Sequence, residues 1–141
     1  MAISEQIRNQ FVEFITLQAF DDQYIDCKEE RRVLEVGLKN GISVEESIAL
    51  IQQMASERGW VLERNVDSRA KVFLENAATN DGKIDKKEFD DAVSLFEKAC
   101  QGKLPTPEIK KRLKHMMVDN AWKAKEGGLF GTKWYTAIVI D

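Results

Sequence analysis

The residues best placed to do chemistry lie in two short acidic stretches. QAFDDQYIDCKEE spans 18–30 and AATNDGKIDKKEF spans 77–89, supplying Asp22, Asp26 and Glu29, then Asp81, Asp85 and Glu88. Carboxylates at this spacing suit two tasks. One is structural: Asp26-x-x-Glu29 and Asp85-x-x-Glu88 read as capping boxes, in which the Asp accepts a backbone N–H and the Glu reaches back to the Asp amide. Ile25 and Ile84, just before the caps, can staple onto the helices that follow. The other task is to hold a hard divalent cation through oxygen.

For the cation, the second stretch is the better candidate. Gly82 stands where an EF-hand loop turns sharply, Ile84 follows it, and Glu88 falls at the twelfth position. Counting back puts Ala77 first and Thr79 third, so side-chain oxygen comes only from Thr79, Asp81, Asp85 and Glu88. The first stretch offers Gln18, Phe20 and Gln23 where two ligands and the glycine belong. Calcium takes about six to eight oxygens, so weak divalent-cation binding is the most these turns predict, and no cofactor is implied.

Catalytic arrangements are missing from the sequence. His115 is the only histidine, which removes paired histidine bases and histidine-rich metal sites. Cys27 opens a helix, a place that lowers a thiol pKa, but no resolving Cys or histidine lies near it in sequence. The expectation is a protein without enzymatic activity. Lys110, Lys111, Arg112 and Lys114 fit the outer, solvated face of a helix, and nucleic acid is not the expected partner.

The elements that must position these residues are helical. Apolar residues recur at helical spacing along the 141-residue chain, and Gly and Pro are scarce before residue 100. The first helix, about 4–20, aligns Ile7, Phe11, Phe14, Ile15 and Gln18 behind the cap Ser4. The second, about 27–40, carries Val33, Leu34 and Leu38 and stops at Asn40-Gly41. Ser43 and Glu46 box the start of a third, with Val44, Ile48, Ile51 and Met54 as its stripe. A fourth covers about 65–79 and a fifth about 86–101. Thr106-Pro107 reads as cap and first-turn proline of a sixth, about 107–125, with Ile109, Leu113, Met116 and Met117 inward.

A shift of 59 residues overlays the halves, pairing Asp22 with Asp81, Ile25 with Ile84, Asp26 with Asp85 and Glu29 with Glu88. After a short insertion, Ser43 falls on Thr106, Leu50 on Leu113 and Met54 on Met117. The predicted fold is all-α: a six-helix bundle from two pseudo-symmetric three-helix halves, 4–58 and 63–123, within a domain 1–125.

The doubled motif of a small residue, an acidic turn, Ile-Asp and Glu at a helix start resembles the TerB-like (tellurite-resistance B) family, which includes helical domains attached to some DnaJ proteins. The resemblance covers about residues 4–123, and Gln23-Tyr24 departs from the family's glycine turn. It implies two helical halves, a cation or partner site at Asp22, Asp26, Glu29, Asp81, Asp85 and Glu88, and a role in bacterial stress or phage-defence assemblies without catalysis.

Composition agrees with a globular protein: 43% hydrophobic, 32% charged and net −3. Residues 101–141 hold eight Lys/Arg against four Asp/Glu, or +4, which leaves −7 for residues 1–100. The polar N-terminus MAISEQIRNQ and the short apolar runs make cytoplasm the expected address and membrane insertion unexpected. Cys27 and Cys100 are too few for a disulfide framework. The tail 126–141, EGGLFGTKWYTAIVID, stands apart, because KWYTAIVID has strand propensity. An extended, strand-forming tail is expected, either strapped over the helices or capturing another protein through Phe130, Trp134, Tyr135, Ile138 and Ile140.

Overall fold

The computed structural model describes residues 4–127 and 131–140. The chain is mostly helical, and its described residues divide into two compact units, Met1–Asn65 and Val66–Asp141.

The first unit contains α1 (Glu5–Gln18), β1 (Tyr24–Ile25), α2 (Cys27–Lys39), α3 (Val44–Arg58) and β2 (Val61–Leu62). Helix α4 (Glu63–Ala77) starts there and continues into the second unit, which adds β3 (Lys83–Ile84), α5 (Lys86–Ala99), α6 (Thr106–Asp119) and β4 (Lys123–Ala124). The order of helix, strand, two helices, strand occurs twice.

The caps explain where the helices begin. Ser4 Oγ accepts from the Ile7 N–H at 3.2 Å. Asp26 accepts from Glu29 N–H at 2.7 Å while Glu29 accepts from Asp26 N–H at 3.0 Å, and Asp85 and Glu88 reproduce the box at the same distances. Ser43 and Glu46 make a third. Gly59 ends α3 in the left-handed region, φ 73°. The sixth start differs from the expectation. Pro105 holds the cap position, where its ring has no oxygen to accept a bond, and Thr106 is the first helical residue, its hydroxyl donating to Glu97, 2.9 Å away.

Counted from the caps Ser43 and Pro105, Ser47 corresponds to Ile109, Ile51 to Leu113 and Ala55 to Met117, all buried. This corrects the overlay of Ser43 on Thr106, and with it Leu50 on Leu113 and Met54 on Met117, by one residue.

The four strands were not anticipated. They pair in parallel within each unit: Tyr24 opposite Val61 and Ile25 opposite Leu62, then Lys83 opposite Lys123 and Ile84 opposite Ala124. Gln23 (φ 55°) and Gly82 (φ 71°) turn the chain into β1 and β3. Their carbonyls accept from the N–H groups of Val61 and Lys123 at 2.9 and 2.8 Å.

The first core gathers Phe11, Ile15, Ile25, Val33, Ile51 and Leu62. Leu38, expected inside, is 58% exposed, and Gly37 is buried in its place. In the second unit Leu74, Ile84, Phe89, Phe96, Ile109, Leu113 and Met117 are almost wholly buried. The fourth residue after the cap, which completes a staple, is Phe89 in α5 but Glu30 in α2. Glu30 is buried there because the Arg64 guanidinium pairs with it.

Candidate functional site

The two acidic turns are built alike and occupied differently. In each, the first Asp accepts a backbone N–H two residues on: Asp22 from Tyr24 at 3.1 Å and Asp81 from Lys83 at 3.0 Å. The next Asp and the Glu spend oxygens on their own capping box. Among the described residues, no three of His, Cys, Asp and Glu are gathered as metal ligands.

The residue after each closing strand then sets the charge. After β2 it is Glu63, buried, whose carboxylate accepts from the Tyr24 hydroxyl at 2.6 Å and the Cys27 N–H at 3.2 Å. After β4 it is Lys125, whose ammonium lies 3.2 Å from Asp81. The Lys83 amide and the Lys125 ammonium hold the Asp81 carboxyl below its usual range, and Asp81 raises Lys125 in return. The second turn thus carries its own cation. Glu29 in the first turn is pushed up by burial and by the Asp26 and Asp22 charges, against the Asp26 amide that lowers it.

The C-terminal residues form the second candidate. The expected strand over 134–140 is absent: Trp134–Ala137 make a turn, with Ala137 N–H donating to Lys133 O and Ile138 N–H to Tyr135 O. Side chains take up further backbone groups of this segment. Glu126 accepts from the N–H groups of Tyr135 and Thr136 at 3.0 and 3.2 Å and from the Thr136 hydroxyl. Lys114 Nζ donates to the carbonyls of Tyr135 and Ile138 at 2.9 and 2.7 Å. These bonds hold the Glu126 carboxyl below its ordinary range, with the Thr136 hydroxyl the largest cause.

The turn lies on its own unit. The Trp134 ring rests 5.0 Å from Phe89 and its indole N–H donates to Lys125 O at 3.1 Å. Tyr135 meets Trp134 edge-on, with Lys114 Nζ 4.3 Å from the centre of the Tyr135 ring. Burial, then the Glu126 charge, raises the Tyr135 phenol.

Between α6 and this turn runs an open groove of about 540 Å³. Trp134, Ala137, Ile138 and Val139 form its apolar side, and Pro107, Lys110 and Lys111 face them from α6. Beyond Val139 a hollow of about 350 Å³ reaches Ile140, Arg112 and His115. Of the residues named from sequence, Trp134 and Ile138 line the groove and Ile140 the hollow next to it, whereas Tyr135 is tied to Lys114 and Phe130 lies outside the described residues. Val139, 74% exposed, joins Trp134 in the groove beside Ile138, a placement that the side-to-side alternation of a strand would not give.

The basic face of α6 is partly spent. Arg112 pairs with Asp67 at 3.1 Å and Lys111 with Glu108 at 3.6 Å. Cys100 is buried and Cys27 half-buried. Among the described residues, no helix is long and apolar enough to cross a membrane. No protein-family model, curated protein or solved structure matches the chain.

Proposed function

We propose that this chain is a non-enzymatic protein–protein interaction module, in which the groove between α6 and the C-terminal turn receives an apolar segment of a partner protein. The carrying observation is that groove. It stays open, with Val139 74% exposed, although Glu126, Lys114 and Phe89 have already folded the tail onto its unit. An apolar trough held by fixed backbone binds with little ordering cost. Lys110 and Lys111 on its rim favour a segment that carries acidic residues.

The wider setting follows the TerB-like resemblance: a bacterial cytoplasmic stress or defence assembly. The repeated element order and matching cap registers support reading the units as pseudo-symmetric halves of a six-helix bundle. The alternative, a divalent-cation sensor, has less support, since Asp26, Glu29, Asp85 and Glu88 serve their own helices and Lys125 neutralises Asp81.

The test is capture from the native host with mass spectrometry, using the wild-type chain and Val139→Glu. Val139 is exposed, so the substitution should leave the melting curve unchanged and abolish capture. Equal capture by both proteins would overturn the reading.

A further inference from the structure

The groove has a counterpart in the first unit. Among the described residues, Phe20 and Val139 are the most exposed large apolar side chains, at 76% and 74%. Phe20 follows the α1 cap Ala19. Leu17 stands a turn earlier at 67% exposed, and Asp21 and Asp22 follow, both exposed. The turn that carries Phe20 is braced by the Gln23 N–H bonded to Ala19 O at 2.9 Å and by Asp22 accepting from Tyr24 N–H. An aromatic side chain on a fixed turn costs little entropy to bury.

We infer that the groove of one copy receives the Phe20–Asp22 turn of a second copy. The inference rests on reading the groove as an interaction surface, and it names the partner as the chain itself. Phe20 fills the trough lined by Trp134, Ile138 and Val139, and Asp21 and Asp22 meet Lys110 and Lys111. Residues 1–65, the unit of Phe20, hold seven Lys/Arg against twelve Asp/Glu, or −5, and residues 66–141, the unit of the groove, hold fourteen against twelve, or +2, a difference that steers the copies into this orientation.

Sedimentation velocity on the full chain, from about 1 to 500 μM and at low and high salt, reads this directly. The weight-average mass should rise above 16.1 kDa with concentration and fall back as salt screens the carboxylate–lysine pairs. Phe20→Ser should weaken association at least about tenfold without moving the melting curve. Asp21→Lys, and separately Lys110→Glu with Lys111→Glu, should each stay monomeric, and mixing the two variants should restore association. A wild-type chain that stays monomeric throughout, or association unmoved by Phe20→Ser, overturns the inference. Partner capture that still depends on Val139 in a monomeric wild type would leave the interaction groove standing and remove self-association alone.

Discussion

The Trp134 ring leans on Phe89 at 5.0 Å between centroids, its plane tilted by 48°. Phe89 is 1% exposed, and Trp134 is part of what covers it. The C-terminal turn therefore contributes to stability as well as to the groove. Trp134→Ala should cost about 1–2 kcal/mol, lowering Tm by roughly 3–8 °C. A melt within error of wild type would show that the turn is not seated on Phe89.

Acid should release the same turn. The Glu126 carboxyl is held below its ordinary 4.5. A depressed acid contributes stability that is present above the unfolded pKa and lost as pH falls through the folded one. The Trp134 indole N–H signal in NMR should therefore keep its shift down to about pH 4.5 and move below it. Glu126→Gln, which cannot ionise, should already show the displaced signal at pH 7. A signal with the same acid midpoint in both proteins would exclude Glu126 as the latch.

Calcium titration should give no sub-micromolar site. Lys125→Ala removes the ammonium beside Asp81, yet Asp85 and Glu88 remain engaged with their own amides. It should therefore not create a tight site. A strong heat in the variant alone would mean that Lys125 is a displaceable stand-in for a metal ion.

Gly37 and Ser47 should couple. A Cβ on Gly37 would lie 2.6 Å from Ser47 Oγ and 3.2 Å from Phe11 Cζ. Ser47 is fully buried, and its Oγ has no hydrogen-bond partner among the described residues. Ser47→Ala should be neutral or stabilising by up to about 1 kcal/mol, since it removes an unsatisfied hydroxyl. Gly37→Ala should destabilise the wild type by about 1–2 kcal/mol and lose about 1 kcal/mol of that cost in the Ser47→Ala background. Denaturant midpoints of the four proteins measure the coupling, and strict additivity would contradict the close approach.

The helices were legible because their signals are local. Ser4, Asp26, Ser43 and Asp85 all cap as their sequence context indicates, and the apolar stripes fall mostly inward. Leu38 misled because it sits next to Gly37, and the small residue is the one that faces the core near Phe11. The strands left no pattern, as two residues cannot show alternation. Their pairing depends on the chain returning from Arg58 and from Asp119 to turns about 37 and 40 residues earlier. The tail misled for a different reason. KWYTAIVID has strand propensity, but a ladder needs a neighbouring strand, and Glu126 and Lys114 bind backbone groups of Tyr135, Thr136 and Ile138 in a turn instead. The groove was half legible: its aromatic anchor was evident from composition, while its α6 wall had read as plain solvated surface.

The division between the units falls after Asn65, inside the continuous helix α4. No loop separates them, so a protease has no exposed linker to cut at that point. A chain ended at Asn65 would keep Glu63 and Arg64 for Tyr24 and Glu30 but lose the helical turns that hold them in place. The complementary fragment would begin without the first turn of its own helix, and starting a helix is its costly step. Melting of one unit thus frays a helix that the other needs, and a single cooperative transition should carry both.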